Sequence, residues 1–198
     1  APALDTALLH RVAIHEAGHL LSALLSSLPT PLGVWVTARG GRVEPAPLAT
    51  MTSRLAKAKL RMCLAGREAE RLVLGEVSNG AGVGPASDLA QATGLAAQME
   101  LNWSFGESGL VWQDVSQLDF RKLPGKTQQR IEGHLQEAET AVRALLSENI
   151  DILKNIATEL VQKKELTRID LLNLSKNLSF NAPIDDNGMP SEFLIASS

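Results

Sequence analysis

The pentapeptide His15-Glu16-Ala17-Gly18-His19 constrains the fold more than any other part of the chain. Two imidazoles at this spacing can share a metal ion when the backbone is α-helical. Positions i and i+4 then differ by about 40° around the axis and one turn along it. Both ring nitrogens can sit about 2.0–2.1 Å from one zinc ion. Glu16, offset by about 100°, lies beside the metal rather than on it, within reach of a water that the metal acidifies. Gly18 lets a second backbone cross close by, at some cost in helix propensity. The pattern is H-E-x-x-H, the signature of zinc peptidases, and it uses two of the four histidines present.

The third ligand decides the class of site. A metzincin would continue with Gly and His where Ser22 and Leu25 stand, which rejects that class. A thermolysin-like site takes a Glu from a following helix. Glu68 and Glu70 are the candidates, against a plainer reading of both as a solvated helix face. An Asp from a later helix is the other choice. Asp88 has the right type and place, although an Asp in a first helical turn commonly serves only the helix dipole.

Periodicity and punctuation place these residues. A first helix is predicted from a cap at Asp5 or Thr6 to about residue 27, stopped by Pro29 and Pro31. Leu8, Val12, His15 and His19 form one stripe along it. Val34, Trp35, Val36 and Thr37 are strand-like. A turn at Arg39-Gly40-Gly41-Arg42, followed by Val43 and Glu44, makes this a short hairpin. A second helix is predicted over 53–74, capped by Thr52 or Ser53 and ended by Gly75, with a glycine-rich loop to Pro85. Ser87 caps a third helix over 88–101. Residues 102–123 read as irregular, with a short strand at Leu110-Val111-Trp112. Residues 127–178 read as three helices, broken near 147–149 and at Thr167. The tail from Phe180 lacks periodicity and is expected to be poorly ordered.

At 198 residues the chain predicts one domain, or one domain with a helical appendage. Net charge is −3 and no basic stripe stands out, which argues against nucleic acid as a partner. No stretch is apolar enough to span a bilayer, because His15, Glu16, His19 and Ser22 interrupt the first helix. The single cysteine, Cys63, excludes an internal disulfide framework and suits a reducing compartment. Gly125-Lys126-Thr127 ends like a phosphate-binding loop, but Phe120 stands where its first glycine belongs, so it reads as a loop and helix start. Trp35, Trp103 and Trp112 read as core residues.

Several motifs follow the pentapeptide in order: Ala65-Gly66-Arg67-Glu68-Ala69-Glu70, then Gly80-Ala81, then Ser87-Asp88-Leu89 with Ala92-Thr93 shortly after. Together they resemble the peptidase domain of FtsH-type ATP-dependent zinc proteases, which carries H-E-A-G-H, G-G-R-x-A-E, a T-G-A turn and S-D-L. The helices after residue 124 resemble that family's too, notably at Lys164-Glu165-Leu166-Thr167. The resemblance implies a mainly α, helical zincin-type peptidase domain with a short β-hairpin or small sheet and a C-terminal helical bundle. It implies His15, His19 and Asp88 as zinc ligands and Glu16 as general base. It further implies polypeptide substrates, a homo-oligomer of hexameric form, and an ATPase module elsewhere in the full protein or as a partner. The expected location is cytoplasmic, on the cytoplasmic face of a membrane where parts outside this chain provide an anchor.

The expected organisation is a zinc peptidase core over 1–123, a C-terminal helical part over 124–179 and a tail over 180–198. Four departures from the family pattern stand out. Ala65 replaces a glycine, the loop at 79–86 is longer, W-G-M-S is only partly kept at Trp103-Ser104-Phe105-Gly106, and the segment 34–47 is shorter. For Val34, Trp35, Val36 and Thr37 two readings stand side by side. One is an edge strand that pairs with an extended substrate; the other is a hairpin strand serving only the core. The functional expectation is a zinc metalloendopeptidase. The alternative is a catalytically lapsed, metal-stabilised binding or assembly domain of the same fold.

Overall fold

The computed structural model describes residues 2–180 apart from 111 and 117. Six helices and three short strands follow in the order α1 (Pro2–Leu24), β1 (Gly33–Thr37), β2 (Gly40–Glu44), α2 (Ser53–Leu74), α3 (Asp88–Leu101), α4 (Gly125–Glu148), α5 (Ile150–Lys163), β3 (Glu165–Thr167) and α6 (Arg168–Phe180). The mainly helical expectation holds, with a small sheet. The tail from residue 181 and the centre of the strand expected at 110–112 lie outside the described residues. Leu110 and Trp112, on either side of Val111, have irregular backbone.

α1 is the central helix: it packs against α2, α4, α5 and the sheet. Ala13, Ile14, Ala17, Leu20 and Leu21 are buried on it, whereas the Leu8, Val12, His15 and His19 stripe lines an open cleft, with Val12 also packed against the core. The helix begins at Pro2, where a missing N–H costs nothing, so Asp5 and Thr6 lie inside it rather than capping it. It stops at Leu24, before Pro29. The Ser26 hydroxyl donates to Ala23 O and accepts from Leu28 N, closing a local turn.

α2 and α3 have the predicted limits because their ends are built locally. Thr52 Oγ1 accepts from Leu55 N, Gly75 closes α2 in the left-handed region at φ 75°, and Ser87 Oγ accepts from Ala90 N. The hairpin turn is tighter than expected. Ala38 and Arg39 alone make it, and Gly40, Gly41 and Arg42 belong to β2.

The sheet corrects one reading. Its order is β2-β1-β3, so β1 is the central strand, with Gly33, Val34 and Trp35 opposite Thr167, Leu166 and Glu165. Val36 N–H also donates to Lys164 O at 2.9 Å. Val34, Trp35, Val36 and Thr37 therefore do not form an edge; the free edge beside the cleft belongs to β2. Lys164 makes β3 possible. It ends α5 with φ 66°, turning the chain back onto β1 before Thr167 and Asp170 cap α6 reciprocally. Val34, Val36, Val43 and Leu166 are buried in the sheet. Two tryptophans depart from expectation: Trp35 is 44% and Trp112 71% exposed, and only Trp103 is partly buried, against Phe105. No helix among the described residues is long and apolar enough to cross a membrane.

Candidate metal centre

The close crossing of α1 and α2 builds the site. A Cβ on Gly18 would lie 2.5 Å from Ala65 O and 2.6 Å from Ala69 Cβ, so only glycine lets α2 pass this near. One consequence is the position of Gly66, directly over the two imidazoles. A Cβ there would meet His15 Nε2 at 2.5 Å and His19 Nε2 at 2.6 Å. α3 then enters from the loop 76–86 and brings Asp88, its first residue, to the same point.

His15 Nε2 lies 3.1 Å from His19 Nε2 and 3.0 Å from Asp88 Oδ2, which lies 3.3 Å from His19 Nε2. Ligands on a tetrahedral zinc ion at about 2.0–2.1 Å sit roughly 3.3 Å apart, so this spacing fits one small ion. The tautomers fit as well. His15 Nδ1 is 2.8 Å from Glu70 Oε1, and His19 Nδ1 is 2.7 Å from Met62 O. An ionised carboxylate and a backbone carbonyl only accept, so both Nδ1 atoms carry the proton. In the neutral rings both Nε2 lone pairs then face the Asp88 carboxylate with no donor among them. A cation resolves three converging acceptors, and fixing the distal ring nitrogens in this way is how proteins orient metal-ligating histidines.

Without such a cation a proton takes its place. Burial alone would lower the His15 pKa, but hydrogen bonds to Asp88 and Glu70 outweigh it and raise the ring to about 9. Asp88 responds oppositely: burial raises its carboxyl, and the two imidazoles more than reverse that, holding it well below the usual range. Glu70, also buried, is lowered to about 2 by hydrogen bonds from His15, Arg11 and Ser78.

Glu16 stands apart from the trio. It is 7% exposed, its carboxyl raised chiefly by burial, and it faces strand β2. Gly41 on the same strand packs against its side chain. The cleft in front of these groups has a volume of about 910 Å³. Leu8 and Arg11 of α1, the hairpin 38–43 and the loop residues Ser78, Asn79 and Val83 bound it.

The structure thus brings together His15, Glu16, His19 and Asp88. Glu70 is not in the trio: it holds the far side of His15 and accepts from Arg11 at 2.9 Å and from Ser78 N and Oγ at 2.9 and 3.0 Å. Glu68 turns away, fully buried, and pairs with Arg143 at 2.8 Å and Arg71 at 3.3 Å. Neither glutamate lies on a solvated face. Arg11, Gly66 and the Met62 carbonyl escaped sequence reasoning. Only Gly66 left a signal there, as a glycine inside a helical pattern. Cys63 stays outside the trio, its partly buried thiol pushed up to about 11 by desolvation.

Fold and site together define a mainly helical domain of the H-E-x-x-H type, in which an aspartate joins the two histidines in a group that could hold one metal ion. A model of peptidase family M41 matches residues 3–174, and the chain belongs to that family. It is 35% identical over 170 residues to the ATP-dependent zinc metalloprotease FtsH 1 of Symbiobacterium thermophilum, covering 79% of this chain and 27% of that protein. The FtsH 2 of the same organism is 31% identical over 175 residues, covering 81% and 29%. The ATP-dependent zinc metalloprotease FtsH of Thermus thermophilus is 29% identical over 188 residues, covering 86% and 30%. The chain therefore spans about 30% of the length of these curated relatives.

Proposed function

We propose that this chain is a zinc-dependent endopeptidase acting on extended polypeptides. The observation that carries the reading is the convergence of His15 Nε2, His19 Nε2 and Asp88 Oδ2 within 3.0–3.3 Å, with both imidazoles held as Nδ1–H tautomers and a separate buried carboxylate alongside. His15, His19 and Asp88 would hold the ion. Zinc in this place supplies Lewis acidity, towards a water and towards the scissile carbonyl. Glu16 takes the proton of the attacking water and later delivers it to the leaving amine nitrogen. Its raised proton affinity suits both halves of that task. Glu70 and Met62 O keep the rings from turning while this happens.

The free edge of β2 supports an extended substrate, because its unpaired backbone groups lie along the cleft and can pair with any sequence. The relatives are named ATP-dependent, and this chain matches under a third of each. We therefore assign unfolding and delivery of substrate to an ATPase module, in the full protein or as a partner. Assembly would be a homo-oligomeric ring, at the cytoplasmic side of a membrane. The test is cleavage of casein by the zinc-loaded protein and its loss in Glu16→Gln. Bound zinc without cleavage in the wild type would favour the lapsed binding or assembly domain instead.

A further inference from the structure

We infer that Gly41 of strand β2 forms a slot that positions the Glu16 carboxylate; this rests on Glu16 being the general base. A Cβ on Gly41 would lie 2.6 Å from Glu16 Cγ, 3.0 Å from Glu16 Oε1 and 2.8 Å from Trp35 O. Carbon atoms pack at about 3.5–4.0 Å, so a side chain at 41 must displace Glu16 and also press on Trp35 O across the β1–β2 pair. Five paired positions, from Gly33 opposite Glu44 to Thr37 opposite Gly40, limit how far β2 can shift, so most of the displacement falls on the Glu16 side chain.

Gly41 does not belong to the trio of His15, His19 and Asp88. The slot therefore sets where the base stands without setting where the metal stands. A glutamate has several rotatable bonds, and confining them beforehand removes an ordering cost from the proton transfer. The same strand is the sheet's free edge at the cleft. A polypeptide paired along β2 is thereby laid against the element that holds the base, so substrate register and base position have one common origin. Gly41 is a positioning residue, not a catalytic one.

The test uses the zinc-loaded protein and two inhibitor types. A peptidyl hydroxamate gives its hydroxyl proton to a carboxylate, whereas a peptidyl thiol needs only the metal. Gly41→Ala is expected to keep its zinc and its thiol affinity and to lose roughly tenfold or more in hydroxamate affinity, the worth of one charge-assisted hydrogen bond. Its kcat on a fluorogenic peptide should fall about 10²-fold with KM little changed, as for a reacting group displaced by an ångström. Gly133→Ala, at an open position on α4, should match wild type. Equal losses of thiol and hydroxamate affinity, or wild-type values for hydroxamate affinity and kcat, overturn the inference. Glu16→Gln separates the two levels. Full turnover in that variant sinks the base itself; abolished turnover beside a wild-type Gly41→Ala sinks only the slot. If Gly41→Ala does not fold, the Gly41 resonances of the folded protein decide. Its α-proton signals should move in Glu16→Ala relative to wild type, because the Glu16 side chain packs against them, and unchanged Gly41 signals contradict the slot.

Discussion

Glu70 Oε1 lies 2.8 Å from His15 Nδ1, on the opposite side of the ring from Asp88, whose Oδ2 is 3.0 Å from Nε2. One glutamate that motif reasoning offers as a metal ligand thus orients the His15 ring instead. Glu70→Ala should weaken zinc binding about 10–100-fold, the usual cost of losing the partner of a metal-facing histidine. Glu70→Gln, which keeps an acceptor, should lie between that variant and wild type. Chelator competition measures both, and wild-type affinity in Glu70→Ala would refute the orienting role.

Gly66 carries a steric requirement of the same centre. Gly66→Ala places a methyl 2.5–2.6 Å from both Nε2 atoms, and overpacking of this kind costs about 1–3 kcal/mol, equivalent to roughly 5–150-fold in zinc affinity. Gly94→Ala on α3 is the counterpart, with nothing within 4 Å of the added methyl. It should raise stability by about 0.5–1 kcal/mol through helix propensity and leave zinc binding alone. Titration calorimetry and thermal melts of the two variants distinguish a local steric role from general glycine intolerance.

The titration of His15 gives metal-free and zinc-loaded protein opposite responses to pH. In the metal-free protein its pKa is raised from 6.5 to about 9. The stability it contributes is full below 6.5 and lost as pH rises through about 9. Glu70 works at the acid end: its pKa is lowered from 4.5 to about 2, so its contribution is present above 4.5 and lost as pH falls through about 2. Metal-free protein should therefore gain most from these two groups between pH 4.5 and 6.5. Zinc needs the His15 ring neutral, so its affinity should weaken about tenfold for each pH unit below about 9. Chelator competition at several pH values checks this, and a flat profile from pH 9 to 6 would contradict it.

Ser104 holds a left-handed backbone at φ 53°, one of two described non-glycine residues with positive φ. The resembling motif has glycine there. An L residue in this region bears about 1–2 kcal/mol of strain, and glycine returns roughly half of that gain as chain entropy. Ser104→Gly should stabilise the protein by about 0.5–1 kcal/mol by those two estimates, seen as a higher denaturant midpoint. Its neighbour gives the opposite outcome. A Cβ on Gly106 would lie 1.6 Å from Glu100 Oε2, in a buried cluster with His134, so Gly106→Ala should destabilise.

What could be read from the chain follows the range of the interactions. The limits of α2 and α3 were legible because Thr52, Gly75 and Ser87 act within one turn of the ends they close. The His15–His19 pair was legible because helical geometry alone places it. β3 was not: Glu165, Leu166 and Thr167 form a strand only by meeting β1 from far along the chain, and that meeting removes β1 from the edge. The place of Glu70 depended on which side of His15 α2 would pass, which the Gly18 crossing decides in three dimensions. The composition of residues 75–86 identified a loop, but its path, which delivers Asp88 to the imidazoles, is a tertiary property. Residue type allowed Asp88, and the ordered family motifs selected it.

The proposed metal centre is complete only with Asp88 beside His15 and His19. Metal analysis and zinc affinity of wild type beside Asp88→Ala test it most directly. One zinc per chain in wild type, with affinity lowered by at least about 10²-fold in Asp88→Ala and the fold retained by circular dichroism, is the predicted result, because two imidazoles alone leave the tetrahedral site half built. Wild-type zinc affinity in Asp88→Ala would contradict the account.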